Sequence, residues 1–426
     1  MPFRYAVSSI MRLAYVTVTF PCLRETFVLR EVRHLEERLG QDGFRMYAYQ
    51  HPVGADVNDD NRSWVAKTSY LKHSIWANLL AMCVWMVTEP RRSWRALKLW
   101  MSEVPALDLR TNLQVMVHVL TAFGLAQKIR ADKIERMHAH FATASTLALF
   151  AHVLTGVPFS FTAHASGDVY VYSPFLFEKL RRSWRVVAIS DYNRRYLDLI
   201  SGYTLPDGKV VTVFNGVELP KLDVGPKHND VPLLFTSAAF TTFKGYGTLL
   251  EVLCRLKRDG IPFRFVAVGG GPLFNVMQAR VREFGLSECV SLLGPQPFSE
   301  VQKWLARADI FVFPAEIGLN GQRDGMPTAI TEALAYGLPV VATHITGVPQ
   351  QVKDGVNGFL VEERDPEAFA TRLRELLDSP EMRLRMGREG RRLAEACFDL
   401  RRTLSNLEVA LLGPVQSVHP ETNSRG

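Results

Sequence analysis

Several features are missing from this chain, and each absence removes a class of protein. The five cysteines, Cys22, Cys83, Cys254, Cys289 and Cys397, are scattered and odd in number, and none is spaced as C-x-x-C. That rules out a disulfide framework or a zinc-holding cysteine cluster and suits reduced thiols in a cytoplasm. The uncharged run "SIWANLLAMCVWMVT" at 74–88 falls short of the roughly 20 residues a membrane-spanning helix needs. The opening "MPFRYAVSSI" is too short and too polar for a secretion signal, so residues 1–10 are expected to be a flexible extension and the protein cytoplasmic. A dinucleotide fingerprint is also missing: "VAVGGGP" is not at a first strand and lacks G-x-G-x-x-G. Charged residues make up only 22% of the chain but leave a net +7. This favours an acidic partner, either anionic lipid or a phosphorylated small molecule. Nucleic acid is disfavoured, because the positive charge is spread rather than gathered beside a recognition element.

What is present is ample apolar material, 47% of 426 residues, enough for two cores. From Met11 the pattern is strand, turn, helix. "MRLAYVTVTFP" is β-branched and aromatic; "ETFVLREVRHLEERLG" then puts Phe27, Val28, Val32, Leu35 and Leu39 on one helical face and stops at Gly40. Helix "ATASTLALFAHVLTG", strands "VPFSFTAH" and "RVVAIS", helix "DYNRRYLDLIS" and strand "KVVTVFNGV" continue the alternation. It predicts an α/β domain over 11–217 with a parallel sheet between helices. The aperiodic "ELPKLDVGPKHND", 218–230, is expected to be a linker. A second alternation over 231–395 predicts a second doubly wound domain, with ligands held in a cleft at the carboxyl ends of both sheets. Residues 396–413 are expected to form a helix returning to the first domain, and 414–426 a disordered tail.

Around the uncharged run, "EPRRSWRALKLWM" mixes Trp94, Leu97, Leu99 and Trp100 with Arg91, Arg92, Arg95 and Lys98. Two readings fit this mixture. One is a helix lying on an anionic membrane; the other is an amphipathic helix packed on its own domain.

The second half holds most of the candidate chemistry. In "RDGMPTAITEALAYGLPVVAT", Pro327 suits the start of a helix and leaves the amides around Thr328 and Ala329 open to a phosphate. Glu332 then lies about 7.5 Å further along the axis, at ~1.5 Å per residue, within reach of ligand hydroxyls. Asp324 either meets other hydroxyls or caps the helix. Gly269, Gly270 and Gly271 end a strand, as a close approach to an anion or as a tight turn. Lys244, just before a helix, could face a diphosphate. His164 ends a buried strand in "FTAHASGD", where open α/β sheets meet ligands. His138 and His140 in "MHAHF" have no third partner at metal-ligand spacing.

Taken in order, "HAHF", "FTAHASGD", "VVAIS", "VFNGVE", "FKGYGTLLE", "VAVGGGP", "VSLLGP", "ADIFVFP", "DGMPTAITEALAYGLPVVAT" and "DGVNGFLVE" resemble the retaining glycosyltransferases of family 4 with the GT-B fold. The resemblance runs from Met11 to Leu412. "FPCLRETFVLREVRHLEERLG" is similar to the branch that builds colanic acid and related bacterial exopolysaccharides.

The resemblance implies two Rossmann-like domains facing across a cleft. It also implies hexose transfer, with retained configuration and normally without a metal, from a nucleotide-diphospho-sugar, UDP-sugar favoured over GDP-sugar. The implied acceptor is a hydroxyl of a growing oligosaccharide, expected to be polyprenyl-diphosphate-linked at the inner face of the plasma membrane. By position, Glu332 holds the ribose hydroxyls, Asp324 the donor sugar and Lys244 the diphosphate. His164 lies near the anomeric centre, and Gly269, Gly270 and Gly271 line the nucleotide. Three positions depart from the family pattern: Asp324 and Gln350 stand where glutamate is usual, and Ala239 where an arginine is common, with Arg323 a candidate to compensate. A sugar-nucleotide epimerase of the same fold, or a non-catalytic scaffold in polysaccharide assembly, are the alternatives.

Overall fold

The computed structural model describes residues 11–413 except 23, 24, 55, 56, 58, 73, 74, 166–168, 172 and 228; the expected extension at 1–10 and tail at 414–426 lie outside the described residues. The described chain divides into two compact units, one comprising 11–188, 194–213 and 404–413 and the other 189–193 and 214–403.

The first unit is built on β1 (Leu13–Thr19), α1 (Thr26–Gly43), β2 (Phe44–Gln50), α2 (Arg62–Lys67), β3 (Thr68–Tyr70), α3 (Ile75–Thr88), α4 (Pro90–Glu103), α5 (Leu109–Ala131), β4 (Arg136–His140), α6 (Phe141–Thr155), β5 (Phe159–Ala163), α7 (Leu176–Arg182), β6 (Arg185–Ala188), α8 (Asp191–Ile200) and β7 (Val210–Thr212). Its seven strands lie in the order β3-β2-β1-β4-β5-β6-β7, and every pairing is parallel. The helix read from the periodicity of Phe27 to Leu39 is broken at Gly40, where φ is 72°. α6 stops at Gly156, which takes the left-handed conformation and donates its amide to the His152 carbonyl, the usual end for a helix followed by glycine.

The second unit contains β8 (Leu233–Ser237), α9 (Tyr246–Arg258), β9 (Arg264–Val268), α10 (Phe274–Glu283), β10 (Val290–Leu292), α11 (Phe298–Arg307), β11 (Ile310–Phe313), α12 (Thr328–Ala335), β12 (Val340–Thr343), α13 (Val348–Gln351), β13 (Gly358–Val361), α14 (Pro366–Asp378), α15 (Pro380–Cys397) and the start of α16 (Leu400–Leu412). Its six strands run β10-β9-β8-β11-β12-β13, again all parallel. Successive side chains sort onto two buried faces, as a two-residue repeat requires. Phe235, Val266, Val268, Phe311, Phe313 and Ala342 enter one core, and Leu234, Phe265, Ala267, Ile310, Val312 and Val341 the other. Burial on both faces is why these strands read as unbroken apolar runs.

Two boundaries differ from the sequence expectation. The stretch 218–230 is not a free linker, because it is tied to the second unit. Leu219 and Leu222 pack on its core, the Lys227 ammonium donates to the Ala306 carbonyl at 2.7 Å, and the Asn229 amide donates to Arg307 O and Asp309 Oδ2. The expected helix over 396–413 is α16, which begins later, at Leu400, because residues 396 and 397 still belong to α15. From Leu404 the chain groups with the first unit. There Leu407, Ala410 and Leu411 pack with Leu13, Tyr15 and Phe44, and Glu408 pairs with Arg38 at 2.7 Å.

Asp309 is buried and takes two hydrogen bonds, from Leu233 N and Asn229. Asn229→Ala should remove one of them and lower stability by about 1–3 kcal/mol, read as an earlier chemical-denaturation midpoint. Conversion of 218–230 to a true linker would predict no change.

Candidate functional site

Polar groups in each unit gather where the strand order reverses, at the carboxyl edge of the sheet. In the second unit the reversal lies between β8 and β11. After β8 the chain makes one 3-10 turn, Thr242–Lys244, and passes Gly245 at φ 67°. A side chain at 245 would stand 1.7 Å from the Pro314 carbonyl oxygen, so only glycine lets the loops after β8 and β11 meet. That approach brings the Lys244 ammonium to Asp324, 2.7 Å from Oδ1 and 2.9 Å from Oδ2. Both side chains are mostly buried, 14% and 16% exposed, and the ammonium also lies 5.0 Å from the centre of the Phe313 ring. The pair is a charged, oriented group on the sheet edge where α/β folds bind ligands.

The other sequence candidates fall around this pair. Pro327 is the residue before α12, and Thr328 its first. No side chain caps that helix, so the cap reading of Asp324 is overturned: its carboxylate is taken by Lys244. Glu332 sits within α12 and is partly buried. Arg323 donates from Nε to the Gly321 carbonyl at 3.2 Å. Gly269 and Gly271 have φ of 155° and 145°. A side chain at 269 would stand 2.0 Å from Ala238 O, and one at 271 would stand 2.7 Å from Phe240 O. Two of the three glycines are therefore required by the chain's own loop after β8, whereas Gly270 meets only the ring of Pro295 at ordinary distance.

Sequence reasoning missed Gln351 and the partner of Gln350. The Gln351 amide donates to the Pro327 carbonyl at 2.8 Å and to Thr331 Oγ1 at 2.6 Å, fixing the start of α12. Gln350 closes a two-way contact with Asp191: its Oε1 accepts from Asp191 N at 2.9 Å, and its Nε2 donates to Asp191 Oδ2 at 2.7 Å. A glutamate at 350 would set two carboxylates against each other. The departure from the family pattern thus has a local cause.

In the first unit the reversal lies between β1 and β4, and the histidines cluster there. His164 Nε2 is 2.8 Å from His140 Nδ1. His140 Nε2 lies 3.0 Å from Glu31 Oε2 and 2.7 Å from the Tyr15 hydroxyl, and that hydroxyl donates to Glu31. Phe141, at φ 71°, follows β4 without a loop and stacks on His164, with centroids 4.5 Å apart; such a backbone costs roughly 1–3 kcal/mol and marks a constrained position. Burial, reinforced by His140, pushes the His164 imidazole well below its ordinary pKa, so it is neutral. His138 is separate: it is fully buried and bonded to Ser160 Oγ and Thr162 Oγ1. Among the described residues no group of three or more His, Cys, Asp or Glu is placed to hold a metal ion.

Two parallel-sheet Rossmann-like units, each with its polar cluster at the switch point, define a protein of the GT-B glycosyltransferase fold. The Glycosyltransferase Family 4 profile matches residues 32–221, and the Glycosyl transferases group 1 profile matches residues 221–393. Between them the two profiles span residues 32–393, so the chain carries both of these glycosyltransferase domains. It is 28% identical, over 85% of its length and 90% of the relative's, to the Escherichia coli protein named as the colanic acid biosynthesis glycosyltransferase WcaL. It is 27% identical, over 84% and 89%, to the amylovoran biosynthesis glycosyltransferase AmsK of Erwinia amylovora. Its fold is similar to that of HepE from Anabaena, solved with UDP, at a TM-score of 0.70 and 14% identity over 95% of this chain and 100% of that one.

Gln350→Glu should lower the thermal midpoint by the equivalent of about 1–3 kcal/mol at neutral pH. Adding Asp191→Asn restores a donor opposite the new acid and should recover most of the loss. No recovery would show that Asp191 is not the opposing group.

Proposed function

We propose that this protein moves a hexose-type sugar from a nucleotide-diphospho-sugar, UDP-sugar before GDP-sugar, to a hydroxyl of a growing, lipid-linked oligosaccharide in exopolysaccharide synthesis, with retained configuration and without a metal. The observation that carries the reading is the Lys244–Asp324 pair beside the start of α12: an ammonium, a carboxylate and helix-end amides on one sheet edge. The relatives named for colanic acid and amylovoran synthesis support the product class, and HepE, solved with UDP and with UDP-glucose, supports the donor.

In this reading Lys244 and the amides of Thr328 and Ala329 hold the diphosphate, Glu332 accepts from the ribose hydroxyls and Asp324 meets the transferred sugar, while His164, in the first unit, meets a saccharide hydroxyl. Gly270 faces the nucleotide, between the structurally required Gly269 and Gly271, and Arg323 adds the charge that Ala239 does not supply. The bond from the anomeric carbon to the diphosphate breaks as the acceptor oxygen attacks on the same face. The acceptor proton passes to the leaving phosphate oxygen. Charge grows on that oxygen, so a fixed ammonium and fixed amides stabilise the transition state more than the ground state.

The acceptor's lipid has a matching surface. No described helix is long and apolar enough to cross a membrane, but α3 turns Trp76, Leu80, Val84 and Val87 to solvent, with Trp76 and Val87 about four-fifths exposed at 77% and 81%. On α4, Trp94 is exposed on the same side as Arg91, Arg95 and Lys98. Apolar rings beside exposed cations suit the interface of an anionic bilayer, and we place the protein at the cytoplasmic membrane face.

Glu332→Ala and Lys244→Ala should each lose most transfer from a UDP-sugar; full activity in either refutes the assignment. Incubating donor alone should give slow hydrolysis and no epimer, since an epimerase would convert it. Vesicles containing phosphatidylglycerol should sediment the full chain where phosphatidylcholine vesicles do not, and Trp76→Ser with Trp94→Ser should weaken this. Failure to sediment with either kind of vesicle would remove the membrane from the reading.

A further inference from the structure

The first unit has a cavity that the proposed transfer does not use. It is about 550 Å³ in volume, and residues of α4, α6 and α7 line it. Two of those residues, Gly156 and Arg182, stand just ahead of β5 and β6, so the cavity sits at the amino edge of the sheet. His140 and His164 stand at the carboxyl edge. Between the two edges runs β5, five residues long, which at about 3.3 Å per residue spans roughly 16 Å.

The lining is unequal in sign. Arg92, Arg95 and Lys98 recur at every third residue of α4, and Arg182 adds a fourth cation from the end of α7. Among the described residues Glu178 is the one acid that lines the cavity. Its carboxylate is already shared, because both Arg181 and Arg182 donate to it. His152 adds no charge: burial holds its imidazole below the ordinary pKa, and the Arg182 cation adds to this against the opposing bond to the Val157 carbonyl. Four cations and one carboxylate thus leave a clear positive excess. Like charges at this helical spacing are destabilising by themselves.

One of the cations is fixed in place. Arg92 donates from Nη1 to the Leu154 and Thr155 carbonyls, both at 3.0 Å, and so closes the end of α6. A guanidinium has five N–H groups, and these bonds use only those on Nη1. Leu99 and Val153 supply apolar lining, beside which charges attract more strongly than in open water. Guanidinium forks match the oxygens of a phosphate, and a phosphate carries enough negative charge to satisfy several of them.

We propose that this cavity is a second anion site, which binds a phosphate group carried either by a soluble phosphorylated compound or by the headgroup of an anionic phospholipid. The site rests on the cavity and its charges and not on the transferase reading. Trp94, 60% exposed on α4 between Arg92 and Arg95, places the cavity next to the surface already assigned to the bilayer, which is how a headgroup would reach it.

Lys98 reports occupancy directly. Timed acetylation of the full chain, with each lysine followed by peptide mass spectrometry, compares its reactivity with and without inorganic phosphate or glycerol phosphate at constant ionic strength. Phosphate at ten times its dissociation constant should slow Lys98 about tenfold and leave Lys303, 68% exposed in the second unit, unchanged. Arg95→Gln and Arg182→Gln, both at exposed positions, should each remove most of this protection; in the second, Glu178 keeps Arg181 at 2.9 Å. Lys303→Gln should keep it. A Lys98 that phosphate does not protect overturns the proposal, as does equal protection in the wild type and both cavity variants, which would be general screening. Vesicles then identify the source. Several-fold weaker sedimentation of Arg182→Gln with phosphatidylglycerol vesicles assigns the phosphate to a lipid headgroup. Unchanged sedimentation, with Lys98 still protected by phosphate in the wild type, assigns it to a soluble compound. None of these measurements involves a sugar donor, so they stand if the transferase reading fails.

Discussion

Each sheet in this protein is parallel and covered on both faces, and the placement of its chemistry follows from that. A strand buried above and below has no solvated side on which a charge can sit, since an unpaired buried charge costs several kcal/mol. Charged side chains are therefore kept near the strand ends, and a polar one inside a strand, such as His138, is bonded to its neighbours Ser160 and Thr162. Among those ends, the neighbours β8 and β11, and β1 and β4, send their following segments in opposite directions and leave room between them. Lys244 with Asp324, and His140 with His164, occupy those two places.

The two clusters meet the cost of burial differently. In the second unit, opposite charges neutralise each other, at the expense of loops that must approach closely enough to exclude any side chain at 245. In the first unit a single carboxylate is distributed over a phenol and two imidazoles, and a strained Phe141 serves as a packing plate. Both are fixed arrangements of dipoles and charges, which is the form of organisation that stabilises a developing charge without reorganising when it appears.

Much of the fold could be read directly. The apolar runs around Phe235, Val266, Phe311 and Val340 gave strands because burial on both faces leaves no alternation to misread. Gly156 ended α6 because only a left-handed residue fits there. Lys244 and Asp324 were legible as separate residues, but their mutual contact was not, since they stand 80 positions apart. The segment 218–230 looked like a linker because its hydrogen bonds go to backbone carbonyls and to Asp309, partners that leave no periodic trace. Glu31 looked like one acid among several on a helix, and Gln350 like a departure from a pattern.

By itself the sequence determined which elements form, their alternation, and the residue types available at each strand end, because propensity, periodicity and turn chemistry act over a few neighbouring residues. Only the tertiary structure decided what those residues do to one another: that Asp324 holds Lys244, that Asp191 calls for glutamine at 350, and that Glu31, Tyr15, His140 and His164 meet in one buried cluster. Such pairings depend on which strands lie side by side in the sheet, and strand order brings together segments that nothing local connects.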